Sequence, residues 1–237
     1  MRPKLTLGVL GGMGPAATAD FMRLMAQKAP AGCDQEHPEM FIYSNTITPD
    51  RTTYLLGKGP DPRADIKRGV ETLHKWGAQV LAVTCNTAHY FLDELVEKGE
   101  MPMHLIHIID ETIKASARIC PEGAWLTATM GTMKTGLYQK HAESMGYNFR
   151  IPTMEQKERI HHITDLVKAG ECDLAGKLYK EVIEELWTVA KLPVVLACTE
   201  LPIAYDHTGL DPKMGISCLG ALADACVEYL YAPENNK

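Results

Sequence analysis

The stretch LTLGVLGGMGPAATADFMRLMAQKA, residues 5–29, shows the pattern that decides the fold. Its first part, LTLGVL at 5–10, is a short apolar run typical of a buried strand. Its last part, ATADFMRLMAQKA at 17–29, is amphipathic and predicts a helix. A glycine-rich turn joins the two parts, and this order of strand, turn and helix is typical of α/β proteins.

The same alternation continues along the chain. Further apolar runs predict buried strands: MFIYS (40–44), QVLAVT (79–84), MHLIHII (103–109), AWLTAT (124–129) and VVLAC (194–198). Amphipathic stretches between them predict helices, among them ADIKRGVETLHKW (64–76) and AGKLYKEVIEELWTVA (175–190). Continuous apolar strands separated by helices indicate a parallel sheet with helices on both faces. The sequence therefore predicts an α/β fold.

Length and composition exclude several classes of protein. The chain of 237 residues carries 24 Lys and Arg against 30 Asp and Glu, a net charge of −6, which makes nucleic acid and anionic membranes poor partners. No run approaches the ~18 apolar residues of a membrane span, and the cytoplasm is the expected location. Seven widely spaced cysteines, no CxxC motif and no close Cys/His cluster disfavour a disulfide framework and a metal site.

A weak internal repeat divides the chain into two halves. Met13-Gly14 after the first strand matches Met130-Gly131 at an offset of 117 residues, and Cys85 matches Cys198 at an offset of 113. Each half therefore runs from a strand and a Met-Gly turn to a later strand that ends in cysteine. This pattern predicts two pseudo-symmetric lobes, each a mostly parallel sheet flanked by helices, with an active site between the lobes at the carboxyl ends of strands.

The repeat also predicts how the chain is divided between the lobes. The run that follows each cysteine is expected to cross to the other lobe. We expect residues 1–100 and 212–237 to form the first lobe and residues 101–211 to form the second.

Cys85, in VLAVTCNTAHY, and Cys198, in VVLACTELP, stand in matching settings. Each closes an apolar strand and precedes helix-like or loop sequence, so that backbone N–H groups near the sulfur favour the thiolate. Either cysteine alone could be a buried strand-end thiol, but the matched pair suggests two facing acid/base groups. Asn86, Thr87 and Thr199 then supply hydrogen bonds to a substrate carboxylate. One thiolate would remove an α-proton while the opposite thiol delivers another.

Two interpretations apply to the first glycine turn. Gly12 to Ala17 fit the G-x-G-x-x-A pattern of dinucleotide sites. The second strand, however, ends in Ser44-Asn45 instead of the acidic residue that would bind a ribose, and Pro15 lacks a backbone N–H for a phosphate. A tight turn that lines a small anion site is the favoured interpretation.

Several charged or polar residues outside the cysteine pair are candidates for the site. The polar, Pro- and Gly-rich stretch 47–65 predicts a long functional loop, in which Arg51 could bind a carboxylate or simply face solvent. Lys168, near a predicted helix end, has the same two interpretations. His89 either tunes the neighbouring thiol or lines the pocket. Glu200 either exchanges protons or, as we favour, orients a neighbour by a hydrogen bond.

Six segments of the chain carry a resemblance to a known family: GVLGGMGPAATA, KAPAGCDQEHP, PDRTTYLLGKGPDPR, CNTAH, LVKAG and ACTE. At these segments the chain resembles the aspartate/glutamate racemase superfamily, and it is most similar to the cofactor-independent aspartate racemases. The resemblance implies two pseudo-symmetric α/β lobes, no pyridoxal phosphate or other cofactor, a two-thiol 1,1-proton transfer on aspartate, and a homodimer.

The resemblance also implies a role for each matching residue. Cys85 and Cys198 would be the paired bases, and Arg51 and Lys168 would bind the side-chain carboxylate of the substrate. The remaining substrate-binding positions come from both halves of the chain: Met13, Gly14, Asn86, Thr87, Thr129, Gly131, Thr132, Thr199 and Glu200.

The chain departs from glutamate racemases of the superfamily at two places. Those enzymes carry Asp-Ser near the first glycine turn and His after the second Cys-Thr, whereas this chain has Gly12-Met13 and Glu200. The differences argue against a peptidoglycan-type glutamate racemase. Near the C-terminus, Ile216-Ser217 replaces the Ile-Asp of many relatives.

Two other functions stay open at this point. The first is a related activity of the superfamily, either racemisation of other acidic or polar amino acids or hydantoin, maleate or malonate chemistry, which a substrate panel would reveal. The second is an amino-acid-binding protein on the same scaffold, which would bind aspartate without exchanging its α-proton.

Overall fold

The computed structural model describes residues 2–236 and contains two parallel sheets of four strands each. The first sheet has the strand order β2-β1-β3-β4. Its strands are β1 (Leu7–Gly11), β2 (Met40–Ser44), β3 (Val80–Val83) and β4 (His104–Ile106). The helices of this half are α1 (Pro15–Lys28), α2 (Arg51–Leu55), α3 (Arg63–Lys75), α4 (His89–Glu97) and α5 (Ile108–Ile119).

The second sheet repeats this arrangement with the strand order β6-β5-β7-β8. Its strands are β5 (Ala124–Thr127), β6 (Phe149–Arg150), β7 (Val194–Leu196) and β8 (Gly215–Ser217). The helices of this half are α6 (Met130–Thr135), α7 (Leu137–Ser144), α8 (Met154–Lys168), α9 (Cys172–Val189), α10 (Leu201–Asp206) and α11 (Cys218–Tyr231). The predicted α/β class with two related lobes is confirmed.

The strand order places a crevice in each half. β1 lies between β2 and β3, and β5 lies between β6 and β7, so the chain leaves these strands toward opposite sides of its sheet. In open α/β sheets, ligands bind at the carboxyl ends of strands where the order reverses in this way. The two cysteines of the repeat follow β3 and β7, next to those reversal points.

A hydrophobic core continues between the two halves. It includes Val9 of β1, Ile113 of α5, Leu126 of β5 and Leu222 of α11, all fully buried. Helix α11 packs against both α1 and α5. The two halves therefore share apolar interior, which keeps their crevices facing each other.

The C-terminal stretch contacts both halves. β8 pairs with β7 in the second sheet, where Ile216 lies opposite Val195. The helix that follows β8 instead packs against α1 and α5. The division into residues 1–100 plus 212–237 and residues 101–211 remains a prediction.

The structure corrects the expected loop at 47–65. Helix α2 begins at Arg51, and the Asp50 side chain caps it by accepting the Thr53 N–H at 2.7 Å. An aspartate at this position satisfies one of the unpaired N–H groups of a first helical turn. The predicted functional loop is therefore partly a short capped helix that holds Arg51 in a defined place.

Two further differences concern short elements. The strand predicted at 103–109 ends at Ile106, because the following residues begin α5. Strands β6 and β8 were not predicted, since two or three residues carry no readable periodicity. No helix within residues 2–236 is both long and apolar enough to cross a bilayer.

Candidate active site

A small cavity lies at the carboxyl ends of β3 and β7, between the two halves. It is lined by Met13, Asp50, Arg51, Thr52, Cys85, Asn86, Thr87, Thr129, Lys168, Cys198, Thr199 and Glu200. Its volume of about 20 Å³ is close to the space that one water molecule needs. An amino acid is much larger than this, so its entry requires the walls of the cavity to move apart.

Most of the residues predicted for the site line this cavity, and three lie just behind its wall. Gly14 is hydrogen-bonded to Glu200 of the lining, and Thr132 is hydrogen-bonded to Thr87. Gly131 faces α2 so closely that a Cβ there would lie 2.9 Å from the Cα of Thr52. The sequence analysis missed Asp50 and Thr52 as lining residues, although both flank Arg51 in the quoted PDRTT segment.

Cys85 and Cys198 are both buried, with 5% and 6% of their surface exposed. Each sits in the turn that follows a fully buried strand, β3 or β7. Because the carboxyl ends of parallel strands lie at one edge of their sheet, these turns bring both thiols to the same cavity. The pairing of the two cysteines in one site was the central prediction from the repeat, and both line the cavity.

The side-chain amide of Asn86 forms hydrogen bonds with two buried residues. Its Oδ1 accepts a hydrogen bond from the Tyr138 hydroxyl at 2.7 Å, and its Nδ2 donates to the Cys218 sulfur at 3.2 Å. Both partners are fully buried. The Asn86 amide therefore anchors the turn after β3 to the core, and the contact of Asn86 with a substrate carboxylate remains a prediction.

Residues after each cysteine cross to the other half in a related way. Thr87 hydrogen-bonds through its hydroxyl to the hydroxyls of Thr129 at 3.1 Å and Thr132 at 2.9 Å, at the start of α6. Glu200 accepts the N–H of Gly14, which precedes α1, at 3.2 Å through Oε1. Both crossing residues follow their cysteine by two positions and reach the Met-Gly turn of the opposite half. These contacts are made by side chains, and the expectation that the chain itself crosses to the other lobe after each cysteine remains a prediction.

Glu200 also contacts the thiol of its own half. The Cys198 sulfur donates to Oε2 of Glu200 at 2.9 Å. Burial raises the pKa of the Cys198 thiol well above its usual value, and the Glu200 charge raises it further, although Lys168 opposes the shift. Glu200 thus accepts a hydrogen bond from the Cys198 thiol, orients it and favours its protonated form, while the role of Glu200 in the reaction remains a prediction.

Arg51 is a buried cation at the first thiol. Its guanidinium donates to three backbone carbonyls, those of Met13 at 3.1 Å, Pro49 at 3.1 Å and Thr48 at 3.4 Å. Burial lowers the pKa of this guanidinium, but the Cys85 sulfur, Asp50 and Glu200 outweigh burial and raise it. The solvent-facing interpretation of Arg51 is therefore excluded, since only 9% of the residue is exposed.

Lys168 is the corresponding cation at the second thiol. It is the last residue of α8, and its side chain is 39% exposed. Burial of its ammonium end lowers the pKa, but the Cys198 sulfur and the carboxylates of Glu200, Asp165 and Asp50 raise it overall. Lys168 follows Arg51 by the same 117 residues that separate the two Met-Gly turns. Each thiol therefore has one cation of its own half beside it.

His89 lies behind the site and does not contact a thiol. Its ring is fully buried, and Nδ1 donates to the Cys85 carbonyl at 2.8 Å while Nε2 accepts the Ile108 N–H at 3.4 Å. Burial lowers its pKa to about 3, with a smaller contribution from His107. A neutral His89 thus joins the turn after β3 to the start of α5, which is neither of the two roles considered from sequence.

The backbone conformation of the turn after β1 accounts for its glycine without any bound nucleotide. Gly12 adopts a φ of +84°, and a Cβ there would lie 2.5 Å from the backbone nitrogen of Asn45. Only glycine fits this conformation and this close approach. The turn thereby brings Met13 to the cavity and presents the Gly14 N–H to Glu200.

Comparison with known proteins agrees with this architecture. A sequence profile described as Asp/Glu/hydantoin racemase matches residues 10–224. The broad-specificity amino-acid racemase RacX of Bacillus subtilis is 28% identical over 205 residues, which cover 85% of this chain and 88% of RacX. The chain therefore belongs to the Asp/Glu/hydantoin racemase family.

Solved structures show the same fold. Aspartate racemase of Picrophilus torridus superposes with a TM-score of 0.82 at 25% identity, covering 95% of this chain and 93% of that enzyme. An aspartate racemase homologue from Pyrococcus horikoshii gives a TM-score of 0.70 at 20% identity, with 96% and 99% covered. Glutamate racemase of Campylobacter jejuni gives 0.64 at 19% identity, with 95% and 84% covered.

Proposed function

We propose that this protein interconverts L- and D-aspartate without pyridoxal phosphate, by proton transfer between Cys85 and Cys198. One observation carries the proposal: two buried thiols at the ends of equivalent strands open into one cavity, each beside a cation. An α-carbon held between the sulfurs can lose its proton to one of them and receive a proton from the other on the opposite face.

The carboxylate of the substrate must be held by the polar wall of the cavity. An α-proton becomes acidic enough for a thiolate only when the negative charge that develops on the carboxylate is stabilised. Backbone N–H groups of Asn86, Thr87 and Thr199, together with the hydroxyl of Thr129, offer hydrogen bonds in a site closed to bulk water. Gly131 and Thr132 support this wall from the start of α6.

The two thiols are proposed to begin the reaction in different protonation states. The Cys198 sulfur donates to the Glu200 carboxylate, a contact that requires the thiol form. The Cys85 sulfur instead lies near the Arg51 guanidinium. We therefore propose Cys85 as the base and Cys198 as the acid in one direction, with the roles exchanged in the other.

The preference for aspartate rests on Arg51 and Lys168. The Arg51 guanidinium donates to backbone carbonyls, and the Lys168 ammonium pairs with the half-exposed Asp165 at 3.5 Å. The Nε of Arg51 is buried without a hydrogen-bond partner among residues 2–236. A carboxylate on the substrate side chain would accept from Nε and contact the ammonium, whereas a neutral side chain would leave buried charge unpaired.

Broader specificity is the second candidate. The relative from Bacillus subtilis is named as a broad-specificity racemase, and it is similar over most of both chains. Activity on aspartate, glutamate and neutral amino acids, measured side by side, separates the two candidates. A homodimer, which the family resemblance favours, is tested by light scattering of the reduced protein.

The decisive experiment is α-proton exchange in D₂O. L- and D-aspartate are incubated separately with reduced protein, without added pyridoxal phosphate, and followed by ¹H NMR and chiral chromatography. We expect deuterium at the α-carbon together with inversion. Folded, reduced protein that binds aspartate but exchanges no α-proton would identify a binding protein instead.

A further inference from the structure

A second group of ionisable side chains lies away from the active-site cavity, where α4, α5 and α7 meet. We call it the His–Asp cluster; it consists of Asp93, His107, Asp110 and His141. Nε2 of His107 lies 3.0 Å from Oδ1 of Asp93, and Nε2 of His141 lies 3.2 Å from Oδ2 of the same carboxylate. The two imidazole rings stack with their centroids 4.8 Å apart.

We propose that Asp93, His107 and His141 bind a divalent transition-metal ion of the Zn²⁺, Co²⁺ or Ni²⁺ class. Ligand atoms of these three residues all lie within 4.8 Å of one another. A tetrahedral shell with bonds of 2.0–2.2 Å would draw such atoms to separations of about 3.4 Å, which small side-chain rotations supply. Two imidazoles and one carboxylate are a donor set that suits these metals.

Asp110 supports the proposal from behind the ligands. Its Oδ1 accepts a hydrogen bond from Nδ1 of His141 at 2.6 Å. A carboxylate that holds the far ring nitrogen of a histidine orients it as a ligand and increases its basicity. Nε2 of His141 is thereby directed toward Asp93, where the ion would lie.

The remaining coordination positions of the ion would open to a surface cavity. This cavity has a volume of about 500 Å³ and is lined by all four members of the His–Asp cluster together with neighbouring residues of α4 and β4. None of its lining residues belongs to the active-site cavity. The cavity is large enough for water or a small anion to complete the coordination shell.

The alternative to a metal site is a network of ion pairs with a protonated His141. The two aspartates raise the pKa of His141 to about 9, against a smaller effect of burial. Asp93 lies on α4, Asp110 on α5 and His107 immediately before α5. Glu97 of α4 and Lys140 of α7 form an ion pair with an N–O distance of 3.8 Å. A network of ion pairs by itself would bind no metal ion saturably.

The His–Asp cluster is connected to the turn that carries Cys85. The ring of His107 contacts the edge of the His89 ring at a centroid distance of 4.6 Å. His89 in turn donates to the Cys85 carbonyl. An ion bound to His107 would therefore be connected through His89 to the backbone of Cys85, without contacting the substrate.

The test uses Co²⁺ with the Cys85→Ala/Cys198→Ala variant, because active-site thiols would themselves bind the ion. Visible d–d absorption should saturate at one Co²⁺ per chain and show no thiolate charge-transfer band. Adding His107→Asn and His141→Asn should abolish it, whereas the exposed His74→Asn control should retain it.

Two outcomes would overturn the proposal. One is the absence of saturable Co²⁺ absorption in Cys85→Ala/Cys198→Ala; the other is equal binding after the two histidine substitutions. Far-UV circular dichroism establishes that each variant is folded. If the histidine variants do not fold, paramagnetic shifts of two imidazole rings on adding Co²⁺ decide the question in the unaltered cluster. None of these readouts requires turnover, so failure of the proposed racemase activity would be seen separately.

Discussion

The turn after β3 and the turn after β7 carry matching cysteines in different electrostatic surroundings. Cys85 lies near the buried guanidinium of Arg51, and its carbonyl is held by His89. Cys198 instead donates to the carboxylate of Glu200, and its cation, Lys168, is partly exposed. The internal repeat supplies equivalent backbone positions, whereas the charged side chains around the two thiols differ.

This difference suits a reaction that needs one base and one acid at a time. Burial and the Glu200 carboxylate raise the pKa of the Cys198 thiol, whereas the Arg51 guanidinium lies beside Cys85. The comparison of the two turns can be tested by substitutions, from the largest expected effect to the smallest.

Replacing either thiol should have the largest effect. Cys85→Ala and Cys198→Ala should each lower racemisation of aspartate by at least about 10³-fold, since each removes one of two obligatory proton-transfer groups. The rate is followed by circular dichroism at a wavelength where the enantiomers differ. Cys172→Ala, which removes a thiol at the start of α9, serves as the control and should keep the wild-type rate.

Removing the two cations should have unequal effects. Arg51→Met should lower kcat/KM for aspartate by about 10²- to 10³-fold. Arg51 is buried, so a substrate carboxylate that loses this partner would find no water in its place. Lys168→Met should cost about tenfold, since solvent screens a side chain that is 39% exposed. Equal losses in the two variants, measured by initial rates, would contradict the proposed asymmetry.

Glu200→Gln should make the second thiol resemble the first. Removing this negative charge should lower the pKa of Cys198 and speed its alkylation by iodoacetamide at pH 7.5 by about tenfold. The measurement uses the Cys85→Ala background, so that one site thiol reacts. Glu181→Gln, which removes an exposed carboxylate on α9, should leave the rate unchanged. An unchanged rate in Glu200→Gln would show that Glu200 does not control the thiol.

The smallest expected effect concerns protein stability. It arises from His89, which binds the turn after β3 and has no counterpart in this prediction at the turn after β7. The folded-state pKa of His89 is about 3, below its unfolded value, so the unfolded chain binds a proton first as pH falls. The free energy of unfolding should therefore decrease from pH 6.5 toward pH 3, by about 1 kcal/mol between pH 6.5 and 5.5.

Urea unfolding of wild type and His89→Leu at these two pH values checks this prediction. The variant should be less stable at pH 7, because the Cys85 carbonyl and the Ile108 N–H lose their partner. It should also lack the histidine contribution to the pH slope. The exposed His162→Leu serves as the matched control and should keep the wild-type slope.

Several features of the molecule could be predicted from the chain itself. The buried strands, the helices at 17–29 and 64–76, and the pairing of Cys85 with Cys198 all depend on local apolar patterns and on the internal repeat. Such patterns survive in sequence because burial of a strand or a helix face constrains residue type along the segment itself. Arg51 and Lys168 line the cavity as the family resemblance implies.

Other features could not be predicted, because they depend on residues that are distant in sequence. The Asn86 amide forms hydrogen bonds with Tyr138 and Cys218, and no local sequence pattern identifies these partners. The sequence shows no close Cys/His cluster, whereas the fold stacks His107 on His141 of α7. The prediction that the chain has no metal site rested on local spacing, which cannot detect such a cluster.

The sequence by itself determined the α/β class, the twofold repeat and the two thiols, since periodicity and strand-end position are properties of contiguous residues. Only the tertiary structure decided which charges stand beside each thiol. Glu200 reaches Cys198 and Gly14 together, and Arg51 is buried against Met13, because helices from separate parts of the chain pack around one crevice. Electrostatic effects depend on distance and burial, and both are set by packing rather than by order along the chain.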